Sequence, residues 1–233
     1  MRRKTLCSLV WLAFPAVCAT DVSDTEDPIQ LQLETRMTHD SNVLRLSSPD
    51  AQGRGTSDNI LKLDLALKAN VAVGRQHLVL DAGVDKNDYR RLSNLDNTGR
   101  RVRLGADWEV GKLWSGTIRY GHARYLANLN DVPDRNRDVV TEDGVSLRVD
   151  RRLETRWLTR VELGELEKDH TDPFQQALSS RNVSATLGLT YTTRAGNTID
   201  SSLRRSETHF RDRQRVGALS IDNRYNDTEL AVL

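Results

Sequence analysis

RVRLGADWEVGKLWSGTIRYG, residues Arg101 to Gly121, decides the reading of this chain. Val102, Leu104, Ala106, Trp108 and Val110 occupy every second position, against Arg103, Gly105, Asp107 and Glu109. After Gly111-Lys112 the alternation resumes, with Trp114, Ile118 and Tyr120 against Ser115, Thr117 and Arg119. Side chains of a strand alternate between its two faces, so two such runs joined by a glycine turn predict a β-hairpin with one apolar face. In water that face would need a second sheet or a helix to cover it.

The same pattern extends in both directions. Ile29, Leu31 and Leu33 alternate with polar residues, as do Leu61, Leu63, Leu65 and Leu67, and Leu78, Leu80, Ala82 and Val84. Further rows are Val145, Leu147 and Val149; Trp157, Val161 and Leu163, where Leu158 and Thr159 break the alternation; and Val183, Ala185, Leu187, Leu189 and Tyr191. Ile199, Ser201 and Leu203 form a weaker row, and Tyr225 to Leu233 begins a last strand. No segment after the first few residues carries a helical period.

Connections sort by parity. Ser47–Ser57, Tyr89–Gly99, Tyr125–Asp138 and Lys168–Ser180 are long and polar. Between them lie tight turns near Val73-Gly74-Arg75, Gly111-Lys112, Arg151–Glu154 and Arg194–Asn197. Outer-membrane barrels alternate short periplasmic turns with long outer loops, whereas a soluble sandwich has no reason to do so. The expected fold is therefore an all-β, antiparallel transmembrane β-barrel of about ten strands, with lipid covering the apolar rows. Trp108, Trp114 and Tyr120 would then suit an interfacial girdle. A secreted sandwich or lipocalin-like barrel is the alternative.

Composition agrees with this. The chain has 233 residues, with 34 Lys and Arg against 33 Asp and Glu, for a net charge of +1. Bulk charge gives no support to nucleic-acid binding, and no run approaches the ~20 apolar residues of a spanning helix. Arg2, Arg3 and Lys4 precede a short apolar run, Thr5–Val17, and Val17-Cys18-Ala19 offers a cleavage point. Residues 1–19 thus read as a signal peptide, 20–28 as a polar tether and 29–233 as the barrel. The arginine pair is a poor twin-arginine signal, and Pro15–Cys18 a poor lipoprotein box. Cys7 and Cys18 both fall in the leader, so the mature chain would hold no disulfide and no thiol-ligated metal.

Few residues suggest chemistry. His39, His77, His122, His170 and His209 have no metal-ligand spacing and read as loop or lumen residues. His170-Thr171-Asp172 resembles a base–carboxylate pair, but no Gly-x-Ser-x-Gly nucleophile accompanies it. Glu162 with Glu165, or Asp64 with Asp81, could be posed as a glycosidase pair; carboxylates among so many arginines fit a salt-bridged lining better. The expectation is no enzyme, no cofactor and no metal. If the apolar rows face lipid, Lys62, Asp64, Asp81, Asp85, Arg103, Asp107, Arg119, Arg148, Asp150, Arg160, Glu162 and Arg204 face the lumen. They would serve either as a structural ladder or as a conduit whose arginines attract acidic solutes.

Four stretches carry a likeness: THDSNVLRL (Thr38–Leu46), DYRRLSNLDNTG (Asp88–Gly99), RDVVTEDG (Arg137–Gly144) and TTRAGNTID (Thr192–Asp200). In their order and spacing the chain, from about Pro28 onward, resembles the EpsL-like family of outer-membrane β-barrels encoded with extracellular-polysaccharide clusters. The resemblance implies export of extracellular polysaccharide across a Gram-negative outer membrane. It also implies outer-membrane lipid, barrel-assembly machinery, periplasmic chaperones and other export components as partners; it supplies no catalytic residues. Members are generally longer and end on an aromatic residue, whereas this sequence stops at NDTELAVL, which suggests a partial chain that does not close alone. A general porin or structural barrel, and a secreted carbohydrate-binding β-domain, are the competing functions.

Overall fold

The computed structural model describes residues 27–46, 55–129, 137–211, 215–216, 219–220 and 223–232. The expected leader and most of the tether lie outside these. Strands are β1 Ile29–Asp40, β2 Asp58–Val73, β3 Gln76–Tyr89, β4 Asn97–Val110, β5 Trp114–Leu126 and β6 Val139–Glu154. They continue with β7 Trp157–His170, β8 Ser180–Thr192, β9 Thr198–Phe210, a two-residue pair β10 Arg215–Val216 and β11 Leu219–Ser220, and β12 Arg224–Val232. Single 3-10 turns at Ser93–Leu95 and Gln176–Leu178 are the only helical elements among the described residues.

Ten strands form one antiparallel sheet in the order β1 to β9 and then β12, each beside its neighbour in sequence. β1 and β12 are its two edges, so the sheet is not closed into a barrel, and the sequence expectation is corrected on that point. Connections at one end run through 41–57, 90–96, 127–138, 171–179 and 211–223; at the other they are only 74–75, 111–113, 155–156 and 193–197. Gly74 and Gly111 turn with φ of 65° and 64°, a conformation open to glycine. The third tight turn lies later than expected. β6 runs to Glu154, and the register shifts between Arg152 and Glu154 before the chain reverses at 155–156.

Register carries the apolar rows across the whole sheet. Leu33 faces Leu65, Leu80 faces Leu104, Ile118 faces Leu147, and Leu147 faces Leu163. Leu187 then faces Leu203, and Leu203 faces Leu230. The centre of this belt slips from Val84 to Leu80 on β3, from Tyr120 to Ile118 on β5 and from Ala185 to Leu187 on β8, each time toward the tight turns. A belt that crosses the pairing rows obliquely means strands tilted against it, as in a staggered sheet that curls. From Leu61 to Val71 the belt follows β2 for about 34 Å, or about 26 Å at a tilt of ~40°.

The two faces differ in crowding. Leu33 is 69% exposed, Leu104 46% and Leu187 58% on the apolar face. On the other face Ala66 and Asp150 are buried, at 3% and 6%. Side chains converge on the inside of a curve and splay on its outside, so the charged face is the concave one.

At the long-loop end the chain builds its own small core. Val43, Leu95 and Leu129 are buried there, packed by Leu44, Ile60, Tyr89, Leu92 and Leu126. Asp40 accepts from the Asn42 backbone N–H at 2.8 Å and pairs with Arg45 at 2.7 Å, which holds Arg45 at a φ of 53°. The Asp58 carboxylate accepts backbone N–H bonds from Asn59 (2.7 Å), Arg91 (3.0 Å) and Leu92 (2.8 Å). Burial alone would raise the Asp58 pKa, but these bonds and the nearby Arg91 guanidinium outweigh it and hold the carboxyl below its ordinary 3.8.

A carboxylate with a depressed folded-state pKa stabilises fully above its ordinary value and loses that contribution as pH falls through the lower folded value. Amide-exchange protection at Arg91 and Leu92 should therefore be complete at neutral pH and decline only below the ordinary carboxylate range. Asp58→Ala should remove it at every pH, a loss of about 1–3 kcal/mol for the orphaned N–H groups. Mid-strand amides such as that of Leu104 should keep their protection in both experiments.

Candidate functional site

All twelve residues expected to line the interior share the concave face, because register is a parity rule. Asp64 faces Asp85, Asp81 faces Arg103, Arg148 faces Glu162, Asp150 faces Arg160, and Thr186 links Glu162 to Arg204. Arg101, one alternation step before Arg103, belongs with them, although the sequence reading leaves it out. It crosses β3 to reach Asp64 on β2 at 3.1 Å, and lies 3.7 Å from Asp81.

Glycines make this possible. Gly83 faces Arg101, Gly105 faces Arg119 and Gly188 faces Arg160. A Cβ on Gly83 would lie 2.6 Å from the Arg101 guanidinium carbon, and one on Gly105 would lie 2.9 Å from a terminal nitrogen of Arg119. Gly99 does the same for Asp85. On a concave face opposing side chains crowd, so a missing Cβ is the space in which a long charged side chain lies flat. The sequence signal was the recurrence of glycine within the polar rows; only register reveals which arginine each one serves.

Two kinds of site result. Asp150, with its side chain 8% exposed, accepts from Arg148 Nε at 2.8 Å and from Arg160 Nε at 3.0 Å. Arg119 donates to Asp107 at 2.6 Å. These ion pairs brace β4 to β5 and β6 to β7. Arg103 instead keeps a side chain 72% exposed, with Asp81 at 3.6 Å. It shares with Arg119, Glu162 and Arg204 an open groove of about 430 Å³, floored by Gly121, Gly144, Ser146, Gly164 and Ser184. Among the described residues Glu162 and Arg204 enter no ion pair. The groove offers charge and hydroxyls above a floor of small residues, with Leu104, Tyr120, Val145 and Leu166 also along its lining.

The other candidates part company. Glu162 lies on the concave face and Glu165 on the opposite one, where it pairs with Arg181 at 2.7 Å; the two cannot act as one pair. Asp64 and Asp81 are both taken by Arg101. His170 bonds through Nδ1 to Asp138 at 2.6 Å, not to Asp172, and Asp138 is saturated by the Thr171 and Asp172 backbone N–H groups. Of the five histidines, His77 lies on the charged face, but His39, His122 and His209 share the apolar face, beyond the belt toward the long loops. Trp108, Trp114, Trp157 and Tyr191 share the apolar face near the tight turns; Trp157 and Tyr191 stack with centroids 4.6 Å apart, and Arg151 sits 4.9 Å over Trp114. Tyr120 is not among them; it lies farther up the belt, where its hydroxyl bonds Asp143.

Removing Asp150 strands two arginines. Asp150→Ala should cost about 1–3 kcal/mol in equilibrium unfolding, since hydrogen bonds to charged groups are worth that much. Arg103→Ala, whose head is largely hydrated, should change stability by less than about 0.5 kcal/mol.

Family models, characterised proteins and solved structures were all compared with this chain, and none matches it.

Proposed function

We propose that this chain is an outer-membrane β-barrel that takes part in exporting an extracellular polysaccharide. The observation that carries the reading is the continuous, exposed apolar belt on the convex face of a sheet whose concave face is charged. Water gives such a belt no cover; a bilayer does, and closed sheets are the only strand structures that satisfy their backbone there. A belt ~26 Å tall matches the ~25 Å apolar band of outer-membrane barrels, and Trp108, Trp114, Trp157 and Tyr191 suit a girdle at its short-turn boundary. Closure would come from pairing the β1 and β12 edges, with each other or through further strands. The tight turns would then face the periplasm and the folded loops the outside.

Polysaccharide as cargo rests on the likeness of the four quoted stretches and on the hydrated groove. A structural or porin-like barrel is favoured by a different observation. The Arg101 and Asp150 clusters neutralise much of the concave face and fill it.

Arginine on the belt separates the membrane reading from a secreted domain. Leu104→Arg and Leu147→Arg should each cost about 2–4 kcal/mol of folding into lipid vesicles, and Thr117→Arg or Ser146→Arg much less. Equal penalties on both faces, or recovery of the chain as a soluble periplasmic monomer, would end the reading. For an acidic polymer, Arg103→Gln with Arg204→Gln should lower export several-fold at unchanged barrel abundance, because both charges line the groove unneutralised or nearly so. Unchanged export would favour the structural barrel.

A further inference from the structure

Arg100 and Arg124 face each other directly across β4 and β5, on the convex face just beyond the belt toward the long loops. Both are exposed, and among the described residues neither forms an ion pair. Like charges placed directly opposite repel and cost stability. Elsewhere on the same rim the chain does supply counter-charges: Glu165 to Arg181 at 2.7 Å, Asp88 to Lys86 at 3.1 Å and Glu207 to Arg224 at 3.1 Å.

Around the pair stand an imidazole and two hydroxyls. Arg100 donates its Nε to His122 Nε2 at 3.1 Å, which orients the guanidinium. Thr141 faces Arg124 across β5 and β6, and Thr98 shares the face one alternation step from Arg100. Asp143, one alternation step along β6 from Thr141, accepts at Oδ1 from His122 Nδ1 at 2.8 Å and from the Tyr120 hydroxyl at 3.2 Å. Two guanidinium groups and two hydroxyls, with no carboxylate in an ion pair with either arginine among the described residues, match the non-bridging oxygens of a phosphate.

Resting on the barrel reading, we propose that Arg100 and Arg124 form a binding site for the phosphorylated headgroup of a membrane lipid. The location selects a lipid over a soluble anion: the site opens on the convex face at the belt's edge, where headgroups meet hydrocarbon, and not on the concave groove. The bound phosphate would relieve the repulsion between the two arginines and pin the barrel at a set depth.

The test uses the full chain extracted in detergent, with bound lipid followed by native mass spectrometry. Titrants are short-chain phosphatidic acid, phosphatidylcholine of equal chain length, and inorganic phosphate. Phosphatidic acid should bind at least tenfold more tightly than either alternative. R100Q/R124Q should abolish that preference, whereas R181Q, which removes an arginine already paired with Glu165, should keep it. Retained preference in the double variant overturns the proposal, and so does inorganic phosphate binding as tightly as phosphatidic acid. The double variant should be no less stable than the parent, because it removes a repulsion. Failure of this inference alone would appear as normal folding into phosphatidylcholine vesicles with no preference for phosphatidic acid; failure to enter any vesicle would indict the barrel reading instead.

Discussion

Everything in this molecule depends on an unbroken antiparallel ladder in which each strand pairs with its neighbour in sequence. Once Leu104 is set opposite Tyr120 and Leu80, parity sends every second side chain of three strands to one face. A slip of one residue would put arginines on the belt and leucines in the groove. The register survives ten strands because, across the belt, one face is consistently apolar and the other polar or charged, so a slip anywhere would be penalised along the strand.

Curvature gives the two faces different tasks. The convex face has room for Trp, Leu and Ile side chains to stand apart, while the concave face must compress. Arg101, Arg103, Arg119 and Arg160 each lie opposite a glycine, and Asp64, Asp107 and Asp150 receive three of them. Two clusters close on themselves as internal bracing. Arg103, Glu162 and Arg204 remain beside the groove with their charges largely uncommitted. A face that reads as one undifferentiated charged row is thus divided into ion-paired struts and the wall of an open groove.

At the long-loop end, three short stretches order the described chain. Asp40 and Asn42 of THDSNVLRL tie the first loop, and its Val43 and Leu44 enter the loop core. DYRRLSNLDNTG contributes Tyr89, Leu92 and Leu95 to that core, and Asp96 accepts the Tyr89 N–H at 2.7 Å. In RDVVTEDG the buried Asp138 gathers His170, Thr171 and Asp172. These residues answer to backbone satisfaction in irregular chain, where no ladder provides partners.

Period-two alternation alone determined the strands, their two faces, the sorting of connections by length and the membership of the charged face, because face assignment needs only parity along one strand. Tertiary structure decided what parity cannot express. Arg101 reaches across a strand to Asp64, which depends on Gly83 lying between them. His170 takes Asp138, 32 residues away, in place of the adjacent Asp172. Glu162 and Glu165, neighbours in sequence, end on opposite faces. Which charges are neutralised follows from distances across strands, and whether the edges of β1 and β12 meet follows from the curl of the whole sheet. Both are sums over many residues that no local pattern contains.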